Sequence, residues 1–245
     1  MPGGGSNGRT VRRYRYYDLL VAGFVAVLLC SNLIGPAKVA ELTVPLVGTM
    51  LVFGAGNLFF PVSYVFGDVL TEVYGYARVR RAIWAGAGAM VFASAMAAAV
   101  LALPASPSEP FNAALQPALE TVFGNTWRVV AASVLGFWAG DFVNAYVMAK
   151  MKVMTGGRWL FARTIGSTIV GQGVDTLIFF PIAFGGIWTF DTLVAVVAFS
   201  WFFKVMVEVV MTPVTYLVVG GLKRAEREDY FDTETDFTPF SLRDE

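Results

Sequence analysis

The sequence predicts an all-α membrane protein of six transmembrane helices, and three observations predict it. Apolar residues make up 56% of the 245, with phenylalanine alone occurring 21 times and a mean hydropathy of +0.62. They come in blocks of roughly 20, the length a helix needs to cross a hydrocarbon core about 30 Å thick. Basic residues gather on alternate connections between those blocks. A soluble domain of this length carries less apolar residue, in shorter periodic pieces.

The chain opens with "MPGGGSNGRTVRRYRYY", read as a flexible basic tail over 1–17. The membrane domain follows over 18–220, with spans at 18–35, 44–66, 82–103, 126–148, 165–187 and 193–219. No small-residue cleavage site follows the first span, which marks it as a retained helix and not a signal peptide. The longest connection, 104–125, is proline-rich and has room for a short surface helix. The end, 221–245, contains "EREDYFDTETDFTPFSLRDE" and reads as mobile acidic chain, too polar to pack.

Charge sets the direction of threading. Arg9, Arg12, Arg13 and Arg15 precede the first span, Arg78, Arg80 and Arg81 follow the second, and Lys150, Lys152, Arg158 and Arg163 follow the fourth. Lys223, Arg224, Arg227 and Arg243 follow the sixth. With six spans, all the basic residues except Lys38, Arg128 and Lys204 fall on one side. The positive-inside rule then puts both termini on the cytoplasmic side. Five or seven spans would scramble this segregation.

Several chemistries are excluded by composition. The chain has no histidine and one cysteine, Cys30, so zinc sites, disulfide frameworks and His-based acid–base catalysis drop out. A formal net charge of zero gives no nucleic-acid footprint. No metal or cofactor is expected, and no enzyme. Membrane lipid is the expected surroundings, and the small-residue faces, such as Gly136 with Gly140, leave room for a homodimer as well as for ordinary helix packing.

What remains is polar residues at membrane depth. A charged side chain at the bilayer centre costs about 2.5–3.5 kcal/mol or more, so such groups face a bundle interior. Span four places Asp141 and Asn144 one turn apart; span five places Gln172, Asp175 and Thr176 together, with Gln172 flanked by the flexible glycines Gly171 and Gly173. Span six places Lys204 and Glu208 at i, i+4, and span one ends in Ser31 and Asn32. One lysine cannot neutralise three carboxylates, so interhelical glue is a weaker reading than a cavity for a small molecule. Asn32, Asp141, Asn144, Gln172, Asp175, Thr176, Lys204 and Glu208 are the candidate binding residues. Asp68 and Glu72, at the cytoplasmic end of span two, read equally well as a gate or as a salt-bridged cap.

Five stretches carry a family resemblance: "SN" at Ser31 and Asn32, "FPVSYVFGDVLTEVYGYARVRR", "GDFVNAYVMAKMK", "GQGVDTLIFFPIAF" and "FKVMVEVVMTPVTY". Together they resemble the queuosine precursor transporters, a group of vitamin-uptake-like transporters, over most of the membrane region. The resemblance implies a six-helix importer similar in fold to the substrate-binding subunits of energy-coupling-factor transporters. It implies 7-cyano-7-deazaguanine and 7-aminomethyl-7-deazaguanine as substrates, taken up for salvage into a modified tRNA nucleoside. On this reading Asp175 accepts the N1–H and exocyclic amine of the guanine edge as a pair. A substrate-binding subunit working with an ATPase, for a vitamin or nucleobase, is the alternative.

Overall fold

The computed structural model describes residues 14–34, 39–44, 49–54, 60–124 and 127–241. Among them run α1 (Tyr17–Ile34), β1 (Val39–Val44), β2 (Thr49–Gly54), α2 (Phe60–Tyr74), α3 (Tyr76–Ala102), α4 (Asn112–Phe123), α5 (Trp127–Met154), α6 (Leu160–Phe184) and α7 (Phe190–Glu226). The basic tail up to residue 13, with Arg9, Arg12 and Arg13, lies outside the described residues, as do Lys38 and Arg243.

Helices α3, α5, α6 and α7 are each long and apolar enough to cross a membrane, and α1 is a shorter apolar helix. Their outer faces carry Leu177, Phe202, Val210 and Leu217, between 62% and 77% exposed. Large aliphatic and aromatic side chains displayed this way suit lipid and not water. The buried core sits where α1, α2, α3 and α5 meet, with Phe24, Leu28, Leu70, Val73, Ile83, Phe137 and Met148 packed together.

The expected second span, 44–66, is not one helix. Val39–Val44 and Thr49–Gly54 pair as an antiparallel hairpin, Val39 opposite Gly54 and Val44 opposite Thr49, and the helix starts only at Phe60. The segments "VAELTV" and "TMLVFG" are rich in β-branched and aromatic residues, which fit a pleated strand. A short apolar run cannot be assigned to helix or strand by period alone. The expected second span is corrected here, the other elements among the described residues being helices, and α2, at 15 residues, rises only about 22 Å.

Elsewhere the helices follow local signals. Thr189 caps α7, its hydroxyl accepting the Thr192 N–H at 3.3 Å, and Lys223 and Arg224 occupy the last turn, where cations suit the helix dipole. The helix is 37 residues long and overshoots the expected sixth span at both ends. Helix α4 lies in the 104–125 connection with no buried residue. At the other end of the bundle, Arg128 caps the C-terminus of α6, donating to the carbonyls of Ile182 and, at 2.5 Å, Gly185. Helix α6 runs unbroken through Gly171 and Gly173, which the sequence suggests as points of loosening.

Gly171 serves close approach instead. A Cβ on Gly171 would lie 2.6 Å from the Asn144 Cβ and 2.9 Å from the Gly140 carbonyl; one on Gly140 would lie 2.7 Å from the Asp175 Cβ. The two glycines let α5 and α6 touch backbone to backbone, and that contact carries Asn144 and Asp175 into the bundle.

The tail is the second correction. Residues 229–240 fold back across the basic end of the bundle. The Asp232 carboxylate accepts the backbone N–H of Tyr76 at 3.0 and 3.2 Å, capping α3, whose N-cap residue Gly75 makes no side-chain cap bond. Arg80 donates to the carbonyls of Asp236 and Thr238 at 2.8 and 2.7 Å, and the Trp84 indole to that of Pro239 at 2.7 Å. The Tyr230 ring fills the space a Cβ on Gly75 would need, and Gly75 also has φ 86°, so only glycine fits there. Composition reads this tail as unpacked because it is acidic; its acids and carbonyls are satisfied by the helix N-terminus and cations it meets.

Candidate functional site

Two polar assemblies stack along the bundle. The first lies at the basic end. Glu72, fully buried on α2, receives the Arg163 guanidinium from α6, with Nε at 3.1 Å from Oε2 and Nη2 at 2.7 Å from Oε1. Lys223 of α7 reaches the same Oε1 at 2.6 Å, and Lys152 of α5 stands 3.5 Å away. Lys152 donates to the Glu72 carbonyl at 2.6 Å, to Asp229 at 2.5 Å and to the Tyr230 carbonyl at 2.8 Å. Lys223 also pairs with Asp229 at 2.7 Å. Burial opposes charge on Asp229, but the hydrogen bonds from Lys152 and Lys223 prevail and hold its carboxyl below the usual range. Burial pushes the Asp232 carboxyl up, against the hydrogen bond that it accepts from the Tyr76 N–H.

The second assembly lies deeper. Lys204 of α7 is ion-paired with Asp175 of α6 and stands 3.5 Å from the Thr176 hydroxyl, with the Phe60 ring 5.5 Å from its ammonium. Asp141 of α5 is buried within electrostatic reach of both Asp175 and Lys204. One turn on, the Asn144 amide donates to Asp68 Oδ1 at 2.8 Å. Asp68 in turn stands within electrostatic reach of Glu208. The assembly therefore draws on α2, α5, α6 and α7.

Its unsatisfied atoms distinguish it from packing glue. Asp68 Oδ2, Asn144 Oδ1, Gln172 Oε1 and both Glu208 carboxylate oxygens are buried with no hydrogen-bond partner, as are the Tyr64 and Thr168 hydroxyls. Asp68, Gln172 and Glu208 are 0%, 1% and 1% exposed. Buried polar atoms are almost always paired, so each of these orphans calls for an explanation.

Of the sequence candidates, Asp141, Asn144, Gln172, Asp175, Thr176, Lys204 and Glu208 belong to this assembly. Asn32 does not join it through any described contact: its amide donates to the Leu28 carbonyl of its own helix at 2.9 Å. Asp68 and Glu72 part company, Asp68 joining the deep assembly and Glu72 the network at the basic end. Sequence reasoning missed Tyr64 and Thr168. Tyr64, Asp68 and Glu72 are spaced at i, i+4, i+8, and Thr168, Gln172 and Thr176 likewise, a single polar face on each helix that could have flagged them.

The sequence itself has known relatives. The family described as "Putative vitamin uptake transporter" matches residues 54–218. The "Probable queuosine precursor transporter" of Bacillus subtilis (strain 168) is 32% identical over 206 residues, covering 84% of each chain. No solved structure matches the chain. The residues matched by the family contain the deep assembly and, at the basic end, Glu72, Lys152 and Arg163, but not Lys223, Asp229 or Tyr230.

Proposed function

The chain belongs to the putative vitamin uptake transporter family, and from that premise we propose that it imports a queuosine precursor, a 7-deazaguanine, across a bacterial inner membrane. Both termini are cytoplasmic in this reading, and the basic end of the bundle is the cytoplasmic end. The substrate site is the deep assembly of Asp68, Asp141, Asn144, Gln172, Asp175, Thr176, Lys204 and Glu208.

One observation carries the assignment of that site: both oxygens of Glu208 are buried and without partners. A guanine edge offers N1–H and the exocyclic amine side by side, two donors matched to the two oxygens of one carboxylate. Asp175 suits the task less well, because Lys204 already occupies it. The Gln172 amide and the Tyr64 hydroxyl are donors for the ring carbonyl. The Lys204–Asp175 pair and Thr176 hold α6 and α7 in register beside the ligand. The network around Glu72 closes the path to the cytoplasm, and release requires it to part.

The test is equilibrium binding by purified full-length protein, with 7-cyano-7-deazaguanine, 7-aminomethyl-7-deazaguanine, guanine and adenine as ligands. A deazaguanine should bind, and adenine, which lacks the adjacent donor pair, should not. Uptake of labelled ligand by cells unable to make the precursor should depend on the gene. Failure of both deazaguanines to bind overturns the proposal.

A further inference from the structure

Resting on that reading, we infer that the site is built for a deazaguanine bearing a protonated primary amine, and that Asp68 with Asn144 forms the subsite for the ammonium group. The argument begins with the balance of donors and acceptors. Orphaned in the assembly are five acceptors, Asp68 Oδ2, Asn144 Oδ1, Gln172 Oε1 and the two oxygens of Glu208, beside the Tyr64 and Thr168 hydroxyls, which can donate or accept. The guanine edge supplies two donors, and Glu208 alone takes both. Asp68 Oδ2, Asn144 Oδ1 and Gln172 Oε1 remain, and the first two belong to side chains that are bonded to each other.

Those two atoms are held together. Asn144 gives its amide to Asp68 Oδ1 at 2.8 Å, which fixes its own carbonyl oxygen as the free end. Both side chains are more than nine-tenths buried, Asp68 at 0% and Asn144 at 3%. The pair thus presents one carboxylate oxygen and one amide oxygen with no donor assigned to either. An alkylammonium group has three donors and no acceptor, which suits such a pair. A nitrile nitrogen is an acceptor only and would meet these lone pairs with its own.

Charge points the same way. Four carboxylates, Asp68, Asp141, Asp175 and Glu208, belong to the deep assembly, and Lys204 is its cation, committed to Asp175. Arg163, Lys152 and Lys223 are committed to Glu72 and Asp229. A buried carboxylate without a counter-ion is costly, so a ligand that carries the missing positive charge is favoured over a neutral one of the same shape. The substituent at position 7, aminomethyl against cyano, is where two otherwise alike ligands differ in this respect.

The decisive experiment is competition between 7-aminomethyl- and 7-cyano-7-deazaguanine on the purified full-length protein. The wild type should prefer the aminomethyl ligand by roughly tenfold or more, the usual scale of a buried charge-assisted contact. Asp68→Asn keeps an acceptor for the Asn144 amide, so the fold is retained. It should lose most of the preference, weakening aminomethyl binding several-fold more than cyano binding. Glu208→Gln should weaken both ligands. Equal or tighter binding of the cyano ligand by the wild type, or an equal loss of both ligands in Asp68→Asn, overturns the inference while leaving deazaguanine recognition standing. If the wild type binds neither, the proposed function falls and this inference with it.

Discussion

Arg163 grips both oxygens of Glu72 from across the bundle, at 3.1 and 2.7 Å, although the two residues lie 91 apart in the chain. The fork ties α6 to α2, and Lys223 adds α7 to the same carboxylate. Removing the carboxylate leaves the buried Arg163 without its counter-ion, and breaking a buried pair generally costs about 3–5 kcal/mol. Glu72→Gln should therefore lower thermal stability in detergent sharply. Arg163→Lys keeps the charge but loses the paired geometry and should cost less. If Glu72→Gln melts like the wild type, the network is not holding the helices.

The Lys204–Asp175 pair changes what is expected of Asp175→Asn. From the sequence alone, the neutral amide is cheaper to bury than the carboxylate, so folding should survive. The structure adds that the change strands Lys204. Asp175→Asn should be clearly destabilised, by about 1–3 kcal/mol, and Lys204→Met in the same chain should recover part of the loss. A double-mutant cycle on thermal stability measures the coupling, and simple additivity would show that the two side chains act independently.

Helix contact at Gly140 and Gly171 leaves no room for a methyl group. Gly171→Ala should force α5 and α6 apart at a cost of about 1–3 kcal/mol, the usual range for overpacking. Because Asn144 flanks Gly171 and Asp175 flanks Gly140, ligand affinity should fall along with stability. Gly88, which has nothing within 4 Å of its Cβ position, is the control and should tolerate alanine.

Acidity should loosen the tail through Asp229. Its carboxyl is held low in the docked state, so its contribution is present above the range of the free carboxylate. That contribution is lost as pH falls through the docked value. Asp232, raised by burial, runs the opposite way, its contribution fading as pH rises. In an Asp232→Asn background, protease cleavage within 227–241 should therefore increase on acidification. Adding Asp229→Asn should make cleavage fast and pH-independent. A pH slope that survives in the double variant would assign it to another group.

Much of the deep assembly is legible from spacing, because buried polar residues on a membrane helix must share one face. Asp141 with Asn144, Gln172 with Asp175, and Lys204 with Glu208 each sit a turn apart, and the bundle brings those faces together. The hairpin is not legible: Thr49–Gly54 lies in the apolar run read as the second span, nearly all of Val39–Val44 lies in the connection before it, and pairing between strands leaves no mark in hydropathy. The docked tail is hidden for a different reason. Its partners are backbone groups, the Tyr76 N–H among them, and a sequence does not show which helix terminus lacks a cap. The split between Asp68 and Glu72 depends on cations 80 to 151 residues away in the chain, Lys152, Arg163 and Lys223.

The cap that Asp232 places on Tyr76 spans 156 residues, and this imposes an order on biogenesis. Helix α3 leaves the ribosome when less than half the chain exists, yet the groups that complete its start are among the last to be made. Until then the Tyr76 N–H, the Arg80 guanidinium and the Trp84 indole lack the tail atoms they bond in the finished protein. Residues 229–240 therefore act as a closing stitch, and a nascent chain cut short before residue 229 is an unfinished helix start as well as a shorter protein.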